Sequence, residues 1–315
     1  MATLLMLKEK LKEIYAEYYK IIVPTAKAIV AFMMLLAIND KIGFMARLDS
    51  FAVVLALTVV CAFLPTAIMV LAGLAVVLLH FSALSLEIAL VAFLLFLVMI
   101  LLYLRFCHKD MILVVLVPLA FHFGVPYVMP LVVGLLCGPL AALTLGCGIV
   151  VHYYIEYIAE NTLVIQGISA EGTIERIRVG IDGIIRNDAM FLTIVSFVAA
   201  TLVVHILSRQ AMEHAWSIAI FTGAMANVIL NFMGILVFDN GPKVFGLLIG
   251  TVIAVPLAMA VGFLFRGMDY SRTEKVQFED DDYYYYVKAV PKMTIQPASK
   301  TVKKINTQKY HTHQR

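Results

Sequence analysis

His152, Glu156 and Glu160 follow one another at intervals of four, so any helix that carries them presents all three on one face. An imidazole and two carboxylates so placed can hold a cation or pass a proton, and Tyr153, Tyr154 and Tyr157 surround them. Only His152 lies well inside an apolar stretch. The competing reading is that Glu156 and Glu160 have reached a membrane interface, where the tyrosines form an aromatic belt. A second pair, Asn227 and Asn231, has the same spacing in the middle of another apolar run. Two amides there can coordinate an ion or polar ligand, or act as hydrogen-bonding glue between helices. His122, beside the break Phe123, Gly124, Val125 and Pro126, and His205, four residues before Arg209, are weaker candidates. Asn187 and Asp188 read as the N-cap of the helix that follows. The residue types suit a cation or a proton, and they specify no metal and no cofactor.

The elements that position these residues are set by composition. Of 315 residues, 62% are apolar and 14% charged, against about 45–50% and about 25% in an ordinary soluble domain. Soluble enzymes, disordered chains and disulfide scaffolds are excluded, and ionisable groups in spans of this kind are functional by default. Cys61, Cys107, Cys137 and Cys147 form no C-x-x-C pair or other zinc spacing and read as small apolar packers. H-E-x-x-H, a phosphate-binding G-x-x-x-x-G-K-S/T and a G-x-S-x-G elbow do not occur. No enzyme is expected, and a process driven by ATP would need a separate ATPase subunit. No nucleic-acid partner is expected either; the lipid bilayer is.

The expected fold is an all-α, polytopic transmembrane helix bundle of about eight to ten spans. Residues 1–20 read as an amphipathic interfacial helix, with Leu4, Leu7, Leu11, Ile14, Tyr15 and Tyr18 on one face. Residues 21–266 form the membrane domain and 267–315 a soluble tail. Spans are expected at 21–38, 51–64 and 65–82 (divided at Pro65), 86–106, 139–158, 189–208, 214–238 and 243–266, with a polar, helix-compatible linker over 159–188. Segment 111–136 contains Pro118, Gly124, Pro126 and Pro130 and is expected to be a broken hairpin of two half-helices. Irregular backbone at membrane depth survives only where protein or a watery cavity satisfies it, so the break is expected to wall a site.

Lysine and arginine set the orientation. Lys8, Lys10, Lys12 and Lys20 precede the first span, and nine basic residues follow the last, so both termini are expected in the cytoplasm, which requires an even number of crossings.

Within the tail, Asp280, Asp281 and Asp282 run into Tyr283, Tyr284, Tyr285 and Tyr286, and beyond Asp282 come seven basic residues and no acid. Strand propensity is high from Tyr283 onward, which suits edge-strand docking of a cytoplasmic partner. The basic end could instead rest on anionic lipid, the tyrosines could be phosphorylated, or the tail could be a solvated segment that meets only the positive-inside rule.

Residues 269–274 together with Gln277 to Lys292, and the stretch Val125, Pro126 and Tyr127 to Gly138 and Pro139, resemble uncharacterised multi-pass membrane proteins of anaerobic Gram-positive bacteria. That resemblance implies a bacterial plasma-membrane protein and implies no activity. Residues 111–265 are more loosely similar to the membrane portions of seven-span bacterial receptors and of vitamin-uptake substrate-binding subunits. Intramembrane histidine, glutamate and asparagine favour a transporter or permease component that moves a small solute or ion. The tail favours the alternative, a non-transporting membrane scaffold or sensor.

Overall fold

The structure is a computed structural model that describes residues 2–101, 108–169, 172–210, 214–237, 243–265, 274–279 and 284–289. Contacts divide the chain into two units, residues 18–265 and the two terminal segments 1–17 and 266–315.

The terminal unit holds helix α1 (Ala2–Glu17) and an antiparallel pair of strands, β1 (Glu274–Glu279) and β2 (Tyr284–Ala289). Glu274 pairs with Ala289 and Glu279 with Tyr284, so the strand expected from Tyr283 onward forms a hairpin with the segment before the acidic run. Asp280, Asp281, Asp282 and Tyr283 lie outside the described residues.

The larger unit is helical: α2 (Tyr19–Ile42), α3 (Phe51–Phe63), α4 (Thr66–Leu84), α5 (Leu86–Met99), α6 (Leu113–His122), α7 (Val128–Leu136), α8 (Ala141–Glu160), α9 (Thr162–Gly167), α10 (Thr173–Ile185), α11 (Asp188–Ser208), α12 (Ala215–Val237) and α13 (Lys243–Phe265). Among the described residues six helical stretches are long and apolar enough to cross a membrane: α2, α4, α8, the stretch Thr173–Ser208, α12 and Val244–Phe265. Helices α3, α5 and α6 are shorter apolar ones. Part of the span expected at 86–106 falls on residues 102–107, outside the described set.

Local chemistry accounts for the boundaries. Leu64 is extended before Pro65, as a residue preceding proline prefers, so α3 stops at Phe63 and α4 starts at Thr66. The Lys27 ammonium donates to the Leu64 carbonyl at 3.3 Å, satisfying part of the backbone that this break frees. Ser50, Ser85 and Asn187 cap α3, α5 and α11 through side-chain oxygens that accept from Val53, Ile88 and Met190. Between α6 and α7 the chain turns at Gly124, whose φ of 71° lies in the left-handed region that glycine tolerates. Pro118, by contrast, is carried inside α6.

Large apolar side chains such as Phe51, Phe63, Leu86, Val195, Phe221 and Val252 are exposed, Phe63 by 80%. A surface of this kind is stable only when lipid accepts it. Inside, one apolar cluster joins α2, α4, α5, α6 and α8 around Phe81, Phe96 and Tyr154. A second joins α7, α11, α12 and α13 around Leu131, Val204 and Ala254. Leu113 and Val117 of α6, Leu145 and Ile149 of α8 and Phe197 of α11 form the seam between them. The expected linker carries α9 and α10. Helix α10 is tied to α5 by Arg176, which reaches Glu87 at 3.4 Å and the Ile168 carbonyl at 3.0 Å.

Candidate functional site

The ends of α2, α6 and α8 converge on α4 around a cavity of about 530 Å³. Its floor is aliphatic, with Met34, Leu74, Val77, Val115 and Leu119 among the lining residues. Its polar part is Asp40, Lys41, His122, His152, Tyr153 and Glu156. His122, His152 and Glu156, picked out by spacing and by the neighbouring break, are therefore brought to one cavity. Pro118 and Val114 also line it. Proline has no N–H to give the carbonyl four residues back, as a regular helix would, which loosens the backbone of this wall.

Glu156 is the hub. Its Oε2 lies 3.5 Å from His152 Nε2, one helical turn away, and its Oε1 lies 3.5 Å from the Lys41 ammonium of α2. His152 stacks on Phe121 with ring centroids 4.0 Å apart, and Phe121 in turn lies parallel to Phe197 at 6.1 Å. This pile of rings holds the imidazole against the cavity wall. The Thr193 hydroxyl donates to the Ala189 carbonyl, leaving its oxygen to accept from the Tyr153 hydroxyl at 2.9 Å, so α8 is fixed to α11 beside the site.

A part-buried network sets the end of α2. The Met45 amide donates to His80 Nδ1 at 3.2 Å, which puts the imidazole proton on Nε2. That nitrogen donates to Asn39 Oδ1 at 3.0 Å, and Asn39 Nδ2 donates to the Leu48 carbonyl at 3.1 Å. His80 is fully buried and clamps the residue next to Asp40 and Lys41.

The remaining candidates lie elsewhere. Glu160 ends α8 and is exposed, and it does not line the cavity. Asn227 and Asn231 are buried in α12, where Asn231 Nδ2 donates to Asn227 Oδ1 at 2.8 Å and to the Asn227 carbonyl at 2.9 Å. That pair closes on itself. His205 takes a hydrogen bond from Arg209 at 2.8 Å. Tyr284, Tyr285 and Tyr286 belong to β2.

Lys41, Asp40 and His80 were not singled out by sequence reasoning. Asp40 and Lys41 belong to a polar triplet that serves equally well as a span terminator. His80 is one histidine in an apolar run whose partner lies 41 residues away. No local pattern marks any of them. Among the described residues no cluster of three or more histidine, cysteine or acidic side chains is arranged to hold a metal ion.

Fold and surface define a membrane protein with a polytopic, all-α helix bundle. Compared with protein-family models, with curated proteins and with solved structures, the chain matches none of them.

Proposed function

We infer that the chain is a transporter or permease component of a bacterial plasma membrane that binds a small solute or ion in the cavity among α2, α4, α6 and α8. The observation that carries this reading is the meeting of Lys41, Glu156, His152 and His122 at an aliphatic cavity of about 530 Å³. Pockets for small molecules typically measure about 300–1,000 Å³ and pair an apolar lining with a few placed polar groups. Ionisable groups in a membrane domain are costly and mark solute and ion paths. With both termini in the cytoplasm, as the basic flanks favour, the far end of α2 places Asp40 and Lys41 toward the outside, and the cavity is loaded from there. Energy from ATP would come through a separate subunit.

The test is uptake into proteoliposomes from a defined mixture of amines, amino acids, carboxylates, nucleosides and vitamins, read by mass spectrometry. Wild-type protein and a tail deletion after residue 267 are expected to admit the same solute down its gradient, and Glu156→Gln to lose most of that uptake. Equal uptake by Glu156→Gln and wild type would remove the reading.

The second reading, a scaffold or sensor, is favoured by the β1–β2 hairpin. A two-stranded sheet has an outer edge on each strand, and such an edge can accept a strand from a cytoplasmic protein. Loss of function on tail deletion with normal behaviour of Glu156→Gln would support it.

A further inference from the structure

We propose that the ligand of this cavity is a small organic monocation, an amine or ammonium with an apolar body, whose charged end is taken by Glu156. This rests on the solute-binding reading above and names the class of solute.

The first observation is the state of Glu156. Its contacts to Lys41 and to His152 are both 3.5 Å, whereas charge-assisted N–H···O bonds close to about 2.7–2.9 Å. Among the described residues it has no shorter donor. Glu156 is 35% exposed at its side chain on the cavity wall, so a ligand in the cavity can bring a closer donor to it. Lys41 is 41% exposed at its side chain, so it can shift and leave room for a ligand ammonium beside the same carboxylate.

The second observation is charge balance. The cavity is lined by two carboxylates, Asp40 and Glu156, and by one obligate cation, Lys41. Asp40 has no ion-pair partner among the described residues. One added positive charge brings this set to neutrality. An added carboxylate would place three negative charges against one.

The third observation is the remaining lining. Met34, Leu74, Val115 and Leu119 give a hydrated inorganic ion nothing to exchange for its water. Magnesium and calcium want several oxygen ligands, and the described residues hold no such cluster. An aliphatic or aromatic body suits this floor and the flat wall of His152 and Phe121. Met34, unbranched and flexible, can reshape the floor around it.

The test uses the purified full chain in nanodiscs of zwitterionic lipid, with empty nanodiscs as reference. Isothermal titration compares three probes of nearly equal shape: phenethylammonium, phenethyl alcohol and 3-phenylpropionate. Phenethylammonium is expected to bind at least about tenfold tighter than the other two, the scale of a hydrogen bond to a charged group. Glu156→Gln, which keeps shape and removes charge, should erase that preference. Ala37→Phe, which fills the cavity from α2, should abolish binding. Equal or tighter binding of the alcohol or the propionate would overturn the proposal. If Ala37→Phe also removes that binding, the cavity remains a solute site and only the cation class falls. No binding of phenethylammonium to the folded wild type, or binding that survives both Glu156→Gln and Ala37→Phe, would overturn it as well.

Discussion

Two pairs of polar residues with the same i, i+4 spacing meet opposite fates in this molecule. In α12, Asn231 spends its amide on Asn227 at 2.8 Å, and the pair is sealed within the closely packed half formed by α7, α11, α12 and α13. In α8, His152 and Glu156 stand 3.5 Å apart at a cavity and draw in Lys41 from another helix. Spacing puts two side chains on one face. What that face meets decides whether they become glue or a site.

Gly134 and Gly73 show the same contrast locally, and substitutions there test it. A Cβ at Gly134 of α7 would sit 2.6 Å from Val204 Cβ and 2.7 Å from the Thr201 carbonyl oxygen, so α11 must move. A Cβ at Gly73 of α4 would sit equally close, 2.6 Å, but to the sulfur of Met34, which can retreat into the cavity. Gly134→Val is therefore expected to have the largest effect, at the upper end of the roughly 1–3 kcal/mol cost of overpacking, seen as a drop of several degrees in the melting midpoint in detergent. Gly73→Ala should cost less than about 1 kcal/mol. Equal losses in the two variants would mean that Met34 yields no more readily than α11.

Next in size is Asn231→Leu, which strands Asn227 Oδ1 in a buried setting. A loss of about 1–2 kcal/mol is expected, with uptake retained by the protein that folds. The double variant Asn227→Leu, Asn231→Leu should recover part of it, because an apolar pair leaves nothing unsatisfied. Abolished uptake with unchanged stability would turn this pair from glue into a site.

Smallest in stability is Glu156→Gln. The pairs it breaks are partly exposed and long, and such pairs contribute little, so the melting midpoint should barely move while solute uptake and binding fall. A large loss of stability with normal uptake would reverse the assignment of the two regions.

Much of this was legible in the sequence for identifiable reasons. Apolar runs marked the six stretches long enough to cross a membrane because lipid imposes a length, whereas the runs at 51–64 and 86–106 hold the shorter helices α3 and α5. Pro65 and Gly124 marked the breaks because each removes or frees a backbone option, and Asn187 marked a helix start because its side chain can accept an orphan amide. His122, His152 and Glu156 were visible through local spacing. Lys41 was not, since its contact with Glu156 spans 115 residues of sequence, a distance fixed by how α2 and α8 pack. Nor was the closure of Asn231 on Asn227, which depends on side-chain rotamers. Pro118 and Gly124 looked equally disruptive, yet α6 runs through the first and ends near the second. Only the second turns the chain into a backbone conformation that other residues avoid.

If the space among α2, α4, α6 and α8 is a water-accessible binding cavity, thiol reagents must reach it from water in the bilayer-embedded protein. In a cysteine-free background, a single cysteine is placed at Ala37 on the cavity wall or at Ala224 in the packed core of α12, and each protein is treated with a small charged thiosulfonate. Rapid labelling is expected at position 37 and none at position 224. Protection of position 37 to the same degree as position 224 would contradict it.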